Sequence, residues 1–175
     1  MHKIAAVTAV LAFLLVHPQQ AKAQKLSLAE LVLLNQYSID SFDTYVTDGG
    51  YKFYKPVITG NSDTAVLYAY KQNDSTFKAE HFVRKYLPNK TGEKIIAYQT
   101  VYVSEYLQLK KDIKDAGFTE TGSTSPADTG GLSLLFEKNG CKIYLNSLMG
   151  NTDPKKKVAV YEIKIVTAKG AATAW

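Results

Sequence analysis

Cysteine and histidine are in short supply: the 175 residues contain one cysteine, Cys141, and three histidines. A lone cysteine excludes an internal disulfide, so stability has to come from packing. Two of the histidines, His2 and His17, lie in a segment that reads as a removable leader, which leaves His81 alone in the body of the chain. Clustered metal ligands and histidine-based triads are therefore hard to build. No apolar run approaches the roughly 20 residues needed to cross a hydrocarbon core. Nucleophile and phosphate-binding signatures are missing as well, with no Gly-x-Ser-x-Gly, no His-Glu-x-x-His and no glycine-rich loop opening a helix. No cofactor, no metal and no catalytic residue is expected.

What is present begins with an export signal. Met1-His2-Lys3 supplies a basic start, Ile4 to Val16 is apolar apart from Thr8, and Ala21-Lys22-Ala23 is a small-x-small cleavage site, so residues 1–23 read as a signal peptide. Gln24 follows the cut and offers no cysteine for a lipid anchor. The expected product is periplasmic or secreted. On a eukaryotic secretory route, Asn73-Asp74-Ser75 and Asn89-Lys90-Thr91 would be glycosylation acceptors. Without Lys3 and Lys22 the chain keeps 19 basic against 16 acidic residues, a net charge of +3 in place of +5. The one basic run, Lys155-Lys156-Lys157 after Pro154, reads as a solvated strand entry, and such a mild excess makes no case for nucleic acid.

The body of the chain divides by periodicity. Ser27-Leu28-Ala29-Glu30 is a capping box, and near-helical spacing of Leu28, Leu31, Leu34, Ile39, Phe42 and Val46 runs to Asp48-Gly49-Gly50, as one helix or as a helix-loop-helix broken near Tyr37. Four strands are expected near 52–59, 64–71, 77–87 and 94–103, separated by short turn-forming stretches that imply antiparallel neighbours. Then the order repeats. Ser104 caps a helix whose stripe is Tyr106, Leu109, Ile113 and Ala116, Gly117 ends it, and strands are expected near 118–123, 132–138, 141–148 and 157–167. Asn139-Gly140 between two apolar runs is a two-residue hairpin turn. The fold class is α+β, with a first unit over 24–103, a second over 104–168 and a flexible tail over 169–175. Each unit is expected as a helix or helix pair packed on a four-stranded antiparallel sheet, the two halves either sharing one sheet or forming two.

Asp48-Gly49-Gly50-Tyr51 and Asp115-Ala116-Gly117-Phe118 close the two helical regions alike. This tandem helix-plus-four-strand order, in an exported chain of this size, resembles the beta-lactamase inhibitor proteins and other small exported bacterial proteins. The resemblance implies the α+β tandem architecture. It transfers no contact residue, and the chain departs from the inhibitors in lacking their disulfides. Shared architecture does not assign inhibition of an enzyme.

Candidate chemistry is sparse. In a strand, Glu80 and His81 point to opposite faces and cannot act on one atom, so His81 reads as a structural histidine. Asp63 and Asp74 are turn residues, and Cys141 is a buried filler with no adjoining base. Glu80, Glu93, Glu137 and Glu162 are the carboxylates available to a hydrolase. The stronger signal is the 12 tyrosines, many of them in strands. Alternation sets Tyr144 opposite Ile143 and Leu145, and Phe82 with Arg84 opposite Val83. Tyr68 and Tyr70 opposite Leu67 and Ala69, and Tyr98 opposite Ala97, extend the same outer face. Such a surface combines apolar contact with phenolic hydrogen bonding, the mixture that binds proteins and also stacks on sugars. The expected function is non-enzymatic binding of another envelope or secreted protein through this face, with a carbohydrate or small ligand as the alternative and an acidic-residue hydrolase third.

Overall fold

The computed structural model describes residues 25–58, 64–73, 75–76, 78–88, 90–125, 131–150 and 158–171, with backbone alone at 149, 150 and 158. The expected signal peptide, Asp63, Asp74, the Lys155 to Lys157 run and residues 172–175 lie outside them.

The capping box forms. The Ser27 amide donates to Glu30 Oε2 at 2.9 Å, and the Glu30 amide donates to Ser27 Oγ at 3.3 Å. This starts α1, Leu28–Gln36. Tyr37 and Ser38 are extended, and Ser38 Oγ accepts from the Ser41 amide to cap α2, Ile39–Asp48. The helical region is thus a pair. The third helix, α3, is Val103–Asp115. It begins earlier than the Ser104 cap predicted from sequence: Tyr102 occupies the cap position without a side-chain bond, and its amide donates to Thr100 Oγ1 at 3.1 Å.

The helices α2 and α3 end in the same motif. Gly50 and Gly117 have φ of 85° and 78°, a region that favours glycine. The amides of Tyr51 and Phe118 reach back to the carbonyls of Val46 and Ile113 at 3.0 and 3.2 Å. Each is a six-to-one Schellman closure that satisfies orphan carbonyls and tucks an aromatic ring under the helix end.

The strands are β1 Lys52–Ile58, β2 Thr64–Tyr70, β3 His81–Tyr86, β4 Lys94–Thr100, β5 Thr119–Thr124, β6 Leu132–Lys138, β7 Cys141–Gly150 and β8 Val158–Thr167. All pair antiparallel in a single sheet of order β1-β2-β3-β4-β8-β7-β6-β5. The two expected sets of four strands thus share one continuous sheet, a choice the sequence left open. The two runs of strands join where β4 pairs with β8, Tyr98 opposite Ile163 and Ile96 opposite Ile165. Asn139 and Gly140 both have positive φ and close the tight β6–β7 hairpin. The edge strands are each irregular, with bulges between Phe53 and Lys55 in β1 and between Glu120 and Gly122 in β5. Bulges of this kind blunt an edge against further strand pairing.

The helices pack on one sheet face, where Leu31, Leu34, Phe42, Leu109 and Ile113 meet Ile96, Tyr98, Ile143, Ile163 and Ile165 in the core. Helix α1 lies over the β4–β8 seam, and the buried Asn35 donates from Nδ2 to the Lys94 carbonyl at 3.2 Å and to Thr167 Oγ1 at 3.0 Å. That side chain ties both seam strands to one helix.

Candidate functional site

Alternation of side chains leaves the other sheet face free of the described helices. Cross-strand pairing arranges this face in rows. One row runs Leu67, Arg84, Ala97, Lys164, Tyr144, Leu135 over β2, β3, β4, β8, β7 and β6. The adjacent row runs Ala69, Phe82, Gln99, Glu162, Asn146, Ser133 over the same strands. Part of this second row is a hydrogen-bonded chain. Gln99 Nε2 donates to Glu162 Oε2 at 2.7 Å, Asn146 Nδ2 to Glu162 Oε1 at 3.3 Å, and Ser133 Oγ to Asn146 Oδ1 at 2.6 Å.

Aromatic and cationic groups gather toward the β1 side. The Tyr54 ring, turned onto this face at the bulge, meets Phe82 edge-on at 5.7 Å, with Lys55 Nζ 5.4 Å from the Tyr54 centroid. Tyr86 follows Arg84 by two positions and so shares its face. Arg84 Cζ and Lys164 Nζ lie 5.9 and 5.7 Å from the Tyr86 centroid, and Arg84 Nη1 donates to Tyr86 Oη at 3.2 Å. Two cations thus gather at one aromatic ring. Among the described residues neither cation has a carboxylate partner. Phe82, Arg84, Tyr86, Tyr144 and Lys164 are all partly exposed.

Of the six candidates from sequence, Phe82, Arg84 and Tyr144 occupy the open face. Tyr68, Tyr70 and Tyr98 do not; they point under the helices and are 4, 6 and 1 % exposed. The faces of β2 and β4 are reversed relative to the sequence reading, because the gap beneath the helices needs rings while the open face takes Ala65, Ala69 and Ala97. Tyr68 stacks edge-on against Phe42 at 5.6 Å and its hydroxyl donates to the Asp43 carboxylate. Sequence reasoning passed over Tyr54, Tyr86, Lys164 and the Gln99–Glu162–Asn146 chain. The signal for Tyr86 and Lys164 was available in their alternation with Lys85, Ile163 and Ile165.

A second constellation lies beneath the helices. His81, 4 % exposed, is stacked between Tyr70 and Tyr98 at 5.7 and 5.5 Å, and its Nε2 is 3.1 Å from Glu105 Oε2 on the first turn of α3. Tyr98 Oη donates to the same oxygen at 3.2 Å. An ionised Glu105 accepts both bonds, so neutral His81 carries its proton on Nε2 and leaves Nδ1 buried without a partner. Burial pushes the His81 pKa below its ordinary value, and the nearby Glu105 carboxylate offsets part of that shift. Burial likewise raises the Tyr98 phenol far above its usual range. The expected structural histidine is therefore buried and hydrogen-bonded, with a partner from a helix that sequence did not place beside it.

Lys85 is the other buried ionisable group. Its Nζ donates to the Leu34 and Asn35 carbonyls at 3.0 and 2.6 Å, closing the end of α1, and burial together with Lys94 lowers its pKa to about 8. A shallow cavity of about 370 Å³ adjoins it, walled by Gln36, Tyr37, Tyr86 and Lys94. The four glutamates open to a hydrolytic role each sit with separate partners: Glu80 with Lys71, Glu93 with Thr91, Glu137 with Lys142, and Glu162 with Gln99 and Asn146. Cys141 is partly buried, with its thiol raised by burial, which disfavours the reactive thiolate. Among the described residues no group of three or more His, Cys, Asp or Glu is placed to hold a metal ion, and no helix is long and apolar enough to cross a membrane. No protein-family model, curated protein or solved structure matches the chain.

Proposed function

We propose that this chain is an exported, non-enzymatic binding protein whose helix-free sheet face docks on another envelope or secreted protein. The observation that carries the reading is the make-up of that face: Tyr54, Phe82, Arg84, Tyr86 and Tyr144 stand partly exposed on a rigid antiparallel sheet, with no described helix over them. Tyrosine, phenylalanine and arginine are the residues enriched at protein interfaces, and strands hold them at little entropic cost. Export rests on the basic, apolar and small-x-small pattern of residues 1–23.

The chain is further proposed to be two similar helix-plus-four-strand units fused through one sheet. Matching Schellman closures at Gly50 and Gly117 support this, as do edge-strand bulges that begin three residues after each glycine, at Phe53 and Glu120.

The test is affinity capture by Gln24–Trp175 from the envelope fraction of the source organism, beside a Phe82→Ala, Tyr144→Ala double variant. A partner held by the native chain and released by a still-folded variant supports the reading. Equal retention by both refutes the face assignment. Carbohydrate binding is the second reading, favoured by the amide and carboxylate chain of Gln99, Glu162 and Asn146 lying beside Phe82.

A further inference from the structure

We infer that the recognition point of the open face is a carboxylate-receiving site formed by Arg84 and Lys164 over Ala97, and that the docking partner is a protein presenting an aspartate or glutamate side chain there. The inference rests on the proposed role of this face and specifies the chemistry of its partner.

Three features support it. First, the register places Arg84 on β3 and Lys164 on β8 on either side of Ala97 on β4, a methyl between two long cationic side chains. Two strand spacings separate their backbones, about 10 Å, and both side chains turn toward the Tyr86 ring. Two like charges drawn to one ring repel each other, and an anion placed between them relieves that repulsion.

Second, the acid closest along the strand is already engaged. Glu162 precedes Lys164 by two residues on the same face, yet its oxygens accept from Gln99 and Asn146 and pair with neither cation. The face therefore holds back a carboxylate it could have used to neutralise the cations.

Third, Arg84 is only partly satisfied. Nη1 donates to Tyr86 Oη, while Nε is buried and has no acceptor. A buried donor without a partner is costly, and a small rotation of the guanidinium presents its Nε edge to a carboxylate in the side-on, two-bond geometry. The surroundings select a protein over a nucleic acid. Phe82, Tyr54 and Tyr144 make the rim aromatic, and the three cations of these rows, Lys55, Arg84 and Lys164, are too few to track a phosphate backbone.

The experiment is an NMR titration of the isotope-labelled mature chain with the peptide acetyl-Glu-Tyr-Glu-Tyr-Glu-amide and with its Gln-for-Glu counterpart. The expected result is saturable shifts centred on Ala97, Tyr86 and the Arg84 Nε–H with the acidic peptide, and binding about tenfold weaker for the glutamine peptide, as loss of one charge-assisted contact predicts. An Arg84→Gln, Lys164→Gln variant, checked for an unchanged unfolding transition, is expected to lose the same factor for the acidic peptide alone. Equal binding of the two peptides on this face overturns the carboxylate assignment while leaving the broader docking role standing. Shifts that fall elsewhere, or no shifts at all, overturn the assignment too. Failure of the docking role itself is read separately, from retention of the captured partner by the Phe82→Ala, Tyr144→Ala variant.

Discussion

Replacing Glu105 with alanine tests the buried cluster most directly. Its carboxylate, 12 % exposed, accepts from Tyr98 Oη and from His81 Nε2. Both donors are buried, and removing the acceptor strands them, at about 1–3 kcal/mol each. Glu105 also sits in the first turn of α3, where a negative charge contributes about 0.3–1 kcal/mol through the helix dipole. Relaxation and water entry recover part of this, so a net loss of about 3 kcal/mol is expected in urea unfolding followed by far-UV circular dichroism. For a domain of this size that corresponds to a fall in Tm of about 6–12 °C. Glu105→Gln keeps one acceptor oxygen and is expected to cost about 1 kcal/mol. A Glu105→Ala protein within about 0.5 kcal/mol of wild type would refute the reasoning, because that is the range of an ordinary surface substitution.

Four further outcomes follow from the burial of individual side chains. His81 has its folded pKa held below the ordinary 6.5 by burial, so the unfolded chain binds the proton more readily. Stability is then full above pH 6.5 and falls as the pH drops below it, and His81→Phe should flatten urea midpoints measured between pH 7.5 and 5.5. Lys85, lowered to about 8, acts with the same sign in a higher window: between that value and the ordinary 10.5 the unfolded chain again holds more protons, so stability rises with pH. Relative to Lys85→Met, which lacks the titration, the native protein should gain about 1–2 kcal/mol from pH 7.5 to 9.5 in chemical denaturation. Tyr98→Ala removes a ring that is 1 % exposed and should cost about 3–5 kcal/mol. Tyr144→Ala on the open face should cost about 1 kcal/mol or less in the same thermal or urea assay.

How far the fold was legible depends on the strand. In β3 the burial pattern alternates without a break from His81 to Tyr86, so Phe82 and Arg84 were assigned to the open face from sequence. In β2 and β4 nearly every position is buried on both faces, and the alternation that should have separated Tyr68, Tyr70 and Tyr98 from their alanine neighbours disappears. Local signals with a stereochemical cause were readable: the Ser27 capping box, the Asn139-Gly140 turn and the glycine closures at 50 and 117. Contacts that depend on tertiary placement were not. Nothing near Glu105 marks it as the partner of His81, because the two meet only through the β3–β4 register, which sets His81 opposite Thr100 where the chain turns into α3. The Ser104 cap failed for a related reason, since Thr100 at the end of β4 supplies the hydroxyl that holds the Tyr102 amide.

The seam between β4 and β8 sets the order in which this sheet can assemble. Every other ladder joins strands that follow one another in the chain and closes through short loops, while the seam waits for the whole of the second half. It is the high-contact-order step, and such pairings form late. Until it closes, each half presents one unpaired strand whose natural complement is the other half of any copy. Refolding at high concentration therefore favours an exchanged dimer, with β4 of one chain against β8 of another and all the ladders of the monomer preserved, and Thr100 to Val103 as the hinge.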